Sequence, residues 1–215
     1  MARVKICGIK NEEDLKKVVS AGADAVGFIV DVPVRTPRKI DVHTAKRLIS
    51  KVPIFVTSVA VIMPKSTEEA ITIIEETRPS AVQIHNRVPV SFLKEIKEET
   101  GITIIKTIGI DSESPWKEIR EAERIVDGIL LDTIVSHRAG GTGITHNWEI
   151  SAEIVKRSKI PVILAGGITP ENVRRAILRV RPFAVDVASG VETGGRKDEL
   201  KVKKLISEAH NLFQT

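Results

Sequence analysis

Apolar positions along the chain alternate between two rhythms. Short runs rich in Val, Ile and Leu read as strands: Val4–Ile9, Ala25–Val30, Ile54–Met63, Ala81–His85, Ile102–Ile108, Gly128–Asp132, Val162–Ala165 and Ala184–Ala188. Between them lie stretches with helical spacing: Glu12–Ala21, Val42–Lys51, Ser66–Thr77, Pro89–Thr100, Pro115–Val126, Ile150–Ser158, Pro170–Val180 and Asp198–Leu212. Ser66-Thr67-Glu68-Glu69 reads as a capping box, and Thr169-Pro170 as an N-cap followed by proline in the first turn. Strict alternation of strand and helix implies right-handed crossovers and a parallel sheet. Eight repeats of roughly 25 residues fit a single (β/α)8 barrel, an α/β fold occupying residues 1–215 as one domain. The alternative, an open doubly wound sheet, usually has five or six strands and a glycine fingerprint after the first. Here the first strand runs into Cys7-Gly8-Ile9-Lys10, without that fingerprint.

Composition agrees with such a core. Hydrophobic residues make up 42% of the 215, aromatics only 3%, and tyrosine is absent. Aliphatic side chains must therefore fill the interior, as suits strands buried on both faces. The net charge of +5 raises the question of nucleic acid. The basic residues are interleaved with acids, as in Glu95-Ile96-Lys97-Glu98-Glu99, and few aromatics could stack on bases. No nucleic-acid partner is expected, although a mild positive bias would help gather an anionic substrate. A lone cysteine allows no intramolecular disulfide, and the opening Met1–Cys7 moves directly into a strand-like run. Apolar runs stop well short of the ~20 residues of a membrane helix. The expectation is a cytoplasmic protein with no leader and no membrane contact.

In a (β/α)8 barrel the chemistry sits at the C-terminal ends of strands. Cys7 ends the first strand there. A lone cysteine is often a small buried hydrophobe, but a thiol at this rim can act as base or nucleophile. Asp132 ends the sixth strand, where partial burial would let it serve as a general acid; the bland alternative is a loop-capping carboxylate. Gly166-Gly167 follows the seventh strand, and Ser189-Gly190 the eighth. Glycines at both places let backbone N–H groups approach a phosphate. Arg35 and Arg38 lie in a proline-flanked loop after the second strand. A rim arginine could clamp a carboxylate, while Arg35 reads as a solvated charge. His85 ends the fourth strand and could face the site. His43, His137, His146 and His210 show no metal-ligand spacing with one another or with Cys7, so no metal is expected. Gly140-Gly141-Thr142-Gly143 is either a lid or a long connection.

Taken in order, these residues resemble the phosphoribosylanthranilate isomerase family of tryptophan biosynthesis. The resemblance is carried by Val4-Lys5-Ile6-Cys7-Gly8-Ile9-Lys10, Gly22-Ala23-Asp24-Ala25-Val26-Gly27-Phe28, Val82-Gln83-Ile84-His85 and Leu130-Leu131-Asp132. It continues through Gly140–Gly143, Ala165-Gly166-Gly167-Ile168 and Val185–Glu192. It implies an Amadori rearrangement of N-(5-phosphoribosyl)anthranilate to 1-(2-carboxyphenylamino)-1-deoxyribulose 5-phosphate, with no cofactor. By the same resemblance Asp132 is the general acid, Cys7 the base, and Arg38 the holder of the anthranilate carboxylate. Gly166, Gly167, Ser189 and Gly190 match the phosphate loops, and His85 and Asp186 match rim positions that contact substrate. The chain departs from the family pattern at His146-Asn147-Trp148, where an acid is usual, and at Ala60-Val61-Ile62. The related isomerase of histidine biosynthesis generally places an aspartate where this chain has Cys7. A pentose-phosphate epimerase would need metal ligands, and a phosphometabolite sensor would lack the acid or the base. The partner expected is a small phosphorylated substrate, and the assembly a monomer or homodimer.

Overall fold

A computed structural model describes residues 2–110, 115–133 and 147–211. Eight parallel strands close on themselves: β1 (Arg3–Cys7), β2 (Ala25–Val30), β3 (Thr57–Ile62), β4 (Ala81–Ile84), β5 (Thr103–Ile110), β6 (Gly128–Thr133), β7 (Val162–Leu164) and β8 (Ala184–Val187). Neighbours in the chain are neighbours in the sheet, and β1 closes the ring by pairing with both β2 and β8. Each strand is followed by a helix: α1 (Glu12–Ser20), α2 (Val42–Ile49), α3 (Thr67–Thr77), α4 (Val90–Thr100), α5 (Trp116–Ala122), α6 (Trp148–Arg157), α7 (Val173–Val180) and α8 (Glu199–His210). The expected (β/α)8 barrel is the observed fold.

Local chemistry explains most boundaries. Asn11 starts α1 by accepting a hydrogen bond from Asp14 N at 2.8 Å, and Asp41 starts α2 by accepting from Thr44 N at 2.7 Å. Ser66 accepts from Glu69 N at 3.2 Å, while Glu69 reaches back to Lys65 N at 2.7 Å rather than to Ser66. Arg157 stacks over the Trp116 ring at 4.2 Å, joining α6 to α5.

Packing separates into two shells. The larger core lies between strands and helices, with Phe28, Ile62, Leu93 and Leu205 fully or nearly fully buried. The smaller fills the barrel itself and includes Cys7, Val59, Val61, Leu130 and Ile163. The inner shell is small because a polar layer, Lys5, Gln83, Thr107 and Asp186, shares the interior. Those four come from β1, β4, β5 and β8, and two of them, Gln83 and Asp186, line the mouth itself.

Four features differ from the sequence reading. β3 begins at Thr57, and the apolar Ile54 and Phe55 stand in the preceding loop, 79% and 94% exposed. Phe55 has φ 70°, a left-handed conformation that no strand continues through. α7 begins at Val173, because Thr169 and Asn172 fold into a turn in which Asn172 Oδ1 accepts from Thr169 N at 2.8 Å. Asn147 accepts from Glu149 N at 3.0 Å and starts α6 at Trp148, two residues early. Two short pairings were not foreseen: Lys39–Ile40 beside β2, and an antiparallel ribbon of Glu192–Thr193 with Arg196–Lys197. The Gly140–Gly143 segment, His137 and His146 lie outside the described residues.

Candidate active site

One cavity opens at the C-terminal mouth of the barrel. Cys7, Arg38, His85, Asp132, Gly166, Gly167, Asp186, Ser189 and Gly190 all line it, so every site residue singled out from the sequence faces the same space. Cys7 enters from β1, and Asp132 from β6, three strands round the ring.

Asp132 is held by its own turn, where its carboxylate accepts from Thr133 N at 2.8 Å. Burial pushes its pKa up to about 6, and the nearby Asp186 charge adds to the effect; the Thr133 hydrogen bond and Lys5 oppose it. A carboxyl of this kind carries a proton into the range where an acid catalyst works.

Cys7 is 6% exposed. Burial pushes its thiol above the ordinary value; Lys5 is the largest opposing influence, Asp186 adds to the rise, and Lys197 pulls down again. Burial thus favours the thiol over the thiolate, and the nearby lysines work the other way. Gly8, at φ 82°, gives Arg38 its seat: a Cβ there would stand 2.7 Å from Arg38 Cδ. The guanidinium thereby comes to the cavity. Glu192 accepts from Arg38 Nε at 2.9 Å and from Nη2 at 2.6 Å, a bidentate pair that holds the arginine charged.

The phosphate-type loops are built for close backbone approach. Gly166 and Gly167 have φ of 84° and 67°. A Cβ on Gly166 would meet Thr133 Oγ1 at 2.2 Å, and one on Gly190 would meet Ile168 O at 2.0 Å. No side chain fits at either place without moving the loops. Asn172 pins the first loop by donating to Gly167 O at 2.8 Å.

Asp186 accepts from Lys5 Nζ at 2.9 Å through Oδ2, while its Oδ1 is buried with no partner among the described residues. His85 sits beside Gln83, with Nδ1 3.5 Å from Gln83 Nε2. Burial, followed by Lys5, pushes the His85 pKa below the ordinary histidine value, so the ring is neutral at pH 7.

Sequence reasoning gave no role to Lys5, Gln83, Glu192 or Lys197. Lys5 and Cys7 are two apart on one strand, and that parity puts both inside the barrel. Lys197 is 2% exposed and donates to Cys7 O at 2.6 Å, Ala188 O at 3.0 Å and Glu192 Oε1 at 2.8 Å. It ties the end of β1 to the loop after β8 and to the carboxylate that grips Arg38. Only the folded ribbon brings it there. Among the described residues no group of three or more His, Cys, Asp and Glu could hold a metal ion, and no helix is long and apolar enough to cross a membrane.

A closed (β/α)8 ring whose mouth gathers a carboxyl acid, a thiol, an arginine and two glycine loops defines a barrel enzyme of the acid–base class. The family model for N-(5'phosphoribosyl)anthranilate (PRA) isomerase matches residues 4–208. N-(5'-phosphoribosyl)anthranilate isomerase of Methanosarcina acetivorans is 48% identical, covering 96% of this chain and 92% of the relative. Its counterpart in Halorubrum lacusprofundi is 42% identical, covering 97% of each. Among solved structures, phosphoribosyl anthranilate isomerase in complex with reduced 1-(o-carboxyphenylamino)-1-deoxyribulose 5-phosphate superposes with a TM-score of 0.83 at 37% identity, covering 97% of this chain and 98% of that one. The enzyme from Pyrococcus furiosus superposes at 0.82 with 31% identity, covering 98% of this chain and all of the other. The chain belongs to the N-(5'-phosphoribosyl)anthranilate isomerase family and is an aldose–ketose isomerase.

Proposed function

We propose that this chain isomerises N-(5-phosphoribosyl)anthranilate in tryptophan biosynthesis, with Asp132 as general acid and Cys7 as base. The observation that carries the assignment is that the raised carboxyl and the chain's one thiol line a single cavity together with both glycine loops. Asp132 gives its proton to the furanose ring oxygen, the C1′–O bond breaks, and a Schiff base forms. Cys7, as thiolate, takes the C2′ proton and leaves an enolamine. Tautomerisation adds a proton at C1′ and releases the one on the C2′ oxygen, giving the ketone. Substrate and product are isomers, so no redox partner or external group is consumed. Arg38 holds the anthranilate carboxylate; Gly166, Gly167, Ser189 and Gly190 hold the phosphate through backbone N–H groups; His85 and Asp186 contact the sugar.

Partner and place belong to the same proposal. The substrate is a small phosphorylated metabolite, nucleic acid has no part in the reaction, and a biosynthetic isomerase of this kind works in the cytoplasm. One structural relative is described as generated monomers of dimeric phosphoribosylantranilate isomerase from Thermotoga maritima. Here the exposed Ile54 and Phe55, which also wall an open recess between α2 and α3, favour a homodimer.

The test follows anthranilate-type fluorescence as purified chain consumes synthetic substrate. The parent should turn over, while Cys7→Ser and Asp132→Asn should each lose at least ~10²-fold, the lower end for acid–base groups. Near-parental turnover in either variant refutes its role.

A further inference from the structure

We propose that Lys5 is a positioning residue for the isomerisation: its ammonium, beneath the cavity, holds one oxygen of Asp186 so that the other faces the substrate, and it stands beside the Cys7 sulfur as counter-charge to the thiolate. This rests on the reading of Cys7 as the base.

Lys5 Nζ lies 2.9 Å from Asp186 Oδ2 and 2.9 Å from Gln83 Oε1, and Lys5 is 3% exposed. Lys5 and Asp186 are direct register partners on β1 and β8, so the backbone itself fixes the pair. Lys5 and Cys7 project to the same side of β1. Gly27, opposite Cys7 on β2, shows how near they are. A Cβ at Gly27 would lie 2.8 Å from Cys7 Sγ and 3.1 Å from Lys5 Cε. The thiol and the end of the lysine stem therefore crowd one small space that only glycine leaves open.

The pairing is incomplete in a telling way. Asp186 Oδ1 is buried and has no partner among the described residues, and Asp186 itself lines the cavity. An unmatched buried carboxylate oxygen costs free energy unless a group donates a hydrogen bond to it. A substrate hydroxyl entering the cavity meets that need. Lys5 makes the arrangement tolerable, because it neutralises the carboxylate from below and fixes its rotation.

Several charges face Cys7 from other elements. Asp186 comes from β8, Lys197 from the ribbon, and Arg38 from the loop after β2; Glu192 neutralises the last two. Asp132 on β6 and neutral His85, just beyond β4, line the same cavity. Lys5 is the largest favourable influence on the thiolate, ahead of Lys197. Burial works against the Lys5 ammonium, but Asp186 and Cys7 outweigh it, so Lys5 keeps its charge throughout the working pH range.

Because the chain has one cysteine, its thiolate can be titrated directly. The rate of iodoacetamide alkylation of the intact folded chain is followed by mass across pH. Lys5→Met should raise the midpoint by about one pH unit or more, which is tenfold less thiolate at any pH below it. Asp186→Asn, which keeps the lysine and removes its partner's charge, should lower the midpoint. Mere loosening of the barrel would instead speed alkylation in both variants at every pH. Turnover in Lys5→Met should fall at least tenfold in kcat with less change in KM. A folded Lys5→Met chain with an unmoved midpoint overturns the proposal. If that variant does not fold, an unchanged or raised midpoint in Asp186→Asn overturns it. Alkylation does not depend on catalysis, so a Cys7→Ala chain that still turned over would reject Cys7 as base while leaving the measured charge pairing intact.

Discussion

Asp132 makes the barrel less stable at neutral pH, and its removal should show this. Its pKa is about 6 in the folded chain, against an ordinary 3.8. The folded state therefore binds the proton more tightly than the unfolded one. Between roughly pH 4 and 6 the folded chain holds more of that proton, so stability falls as pH rises through this window and levels off above it. A shift of about two units at ~1.4 kcal/mol each sets the cost at pH 7 at up to about 3 kcal/mol. Asn fills the same volume and can still accept from Thr133 N, the 2.8 Å contact that anchors the side chain. Asp132→Asn should then be more stable than the parent at pH 7, by ~1–3 kcal/mol in urea unfolding, and equal to it near pH 3.5. Other titrating groups cancel in the difference between the two chains. The same substitution should abolish turnover. If the variant is less stable at pH 7, or if the difference is the same at both pH values, burial is not what holds the proton on Asp132.

Three further outcomes follow from the geometry. Arg38→Ala should raise KM about 10-fold or more with a smaller change in kcat, the size expected for a charge-assisted carboxylate contact; steady-state kinetics with an unchanged KM would reject the assignment. Gly190→Ala forces a methyl to within 2.0 Å of Ile168 O, so the loop must open, and inhibition by inorganic phosphate should weaken together with substrate binding; unaltered phosphate inhibition would show that this loop does not hold the anion. Phe55→Glu places a charge on a side chain that is 94% exposed, and sedimentation velocity should find it monomeric at concentrations where the parent is dimeric; a parent that sediments as a monomer removes the proposed interface.

The fold was legible because the barrel depends on rhythm alone. All eight strands and all eight helices lie where the apolar periodicity puts them, and the errors fall at boundaries. Ile54 and Phe55 have strand-forming side chains, but Phe55 takes a left-handed backbone and the ladder starts at Thr57. Propensity cannot distinguish an apolar residue bound for a strand from one left on the surface. Thr169-Pro170 has helix-start chemistry, yet Asn172 captures Thr169 N and delays the helix to Val173. Two local signals competed there, and the turn next to Gly166-Gly167 won.

The site was legible to the extent that strand ends identify it. Cys7, His85, Asp132 and the glycine pairs each sit at or just beyond the end of a strand, and in a barrel that is enough to bring them to one mouth. What the sequence hides is pairing. Lys197 reaches Cys7 O from 190 residues away, and Glu192 occupies two nitrogens of Arg38 from 154 away. Only the ribbon and the closing of β1 on β8 create those contacts. Lys5 and Asp186 pose the same problem in sharper form. Two ionised groups inside a barrel lose hydration that their mutual attraction only partly returns, so an apolar pair of the same volume would often be at least as stable. Stability alone therefore gives no reason for a lysine two residues below Cys7. A reason appears once the Asp186 oxygen that no described residue matches, the crowded space over Gly27 and the neighbouring thiol are taken together. The charge in the barrel interior serves the reacting groups above it, and the fold bears its cost.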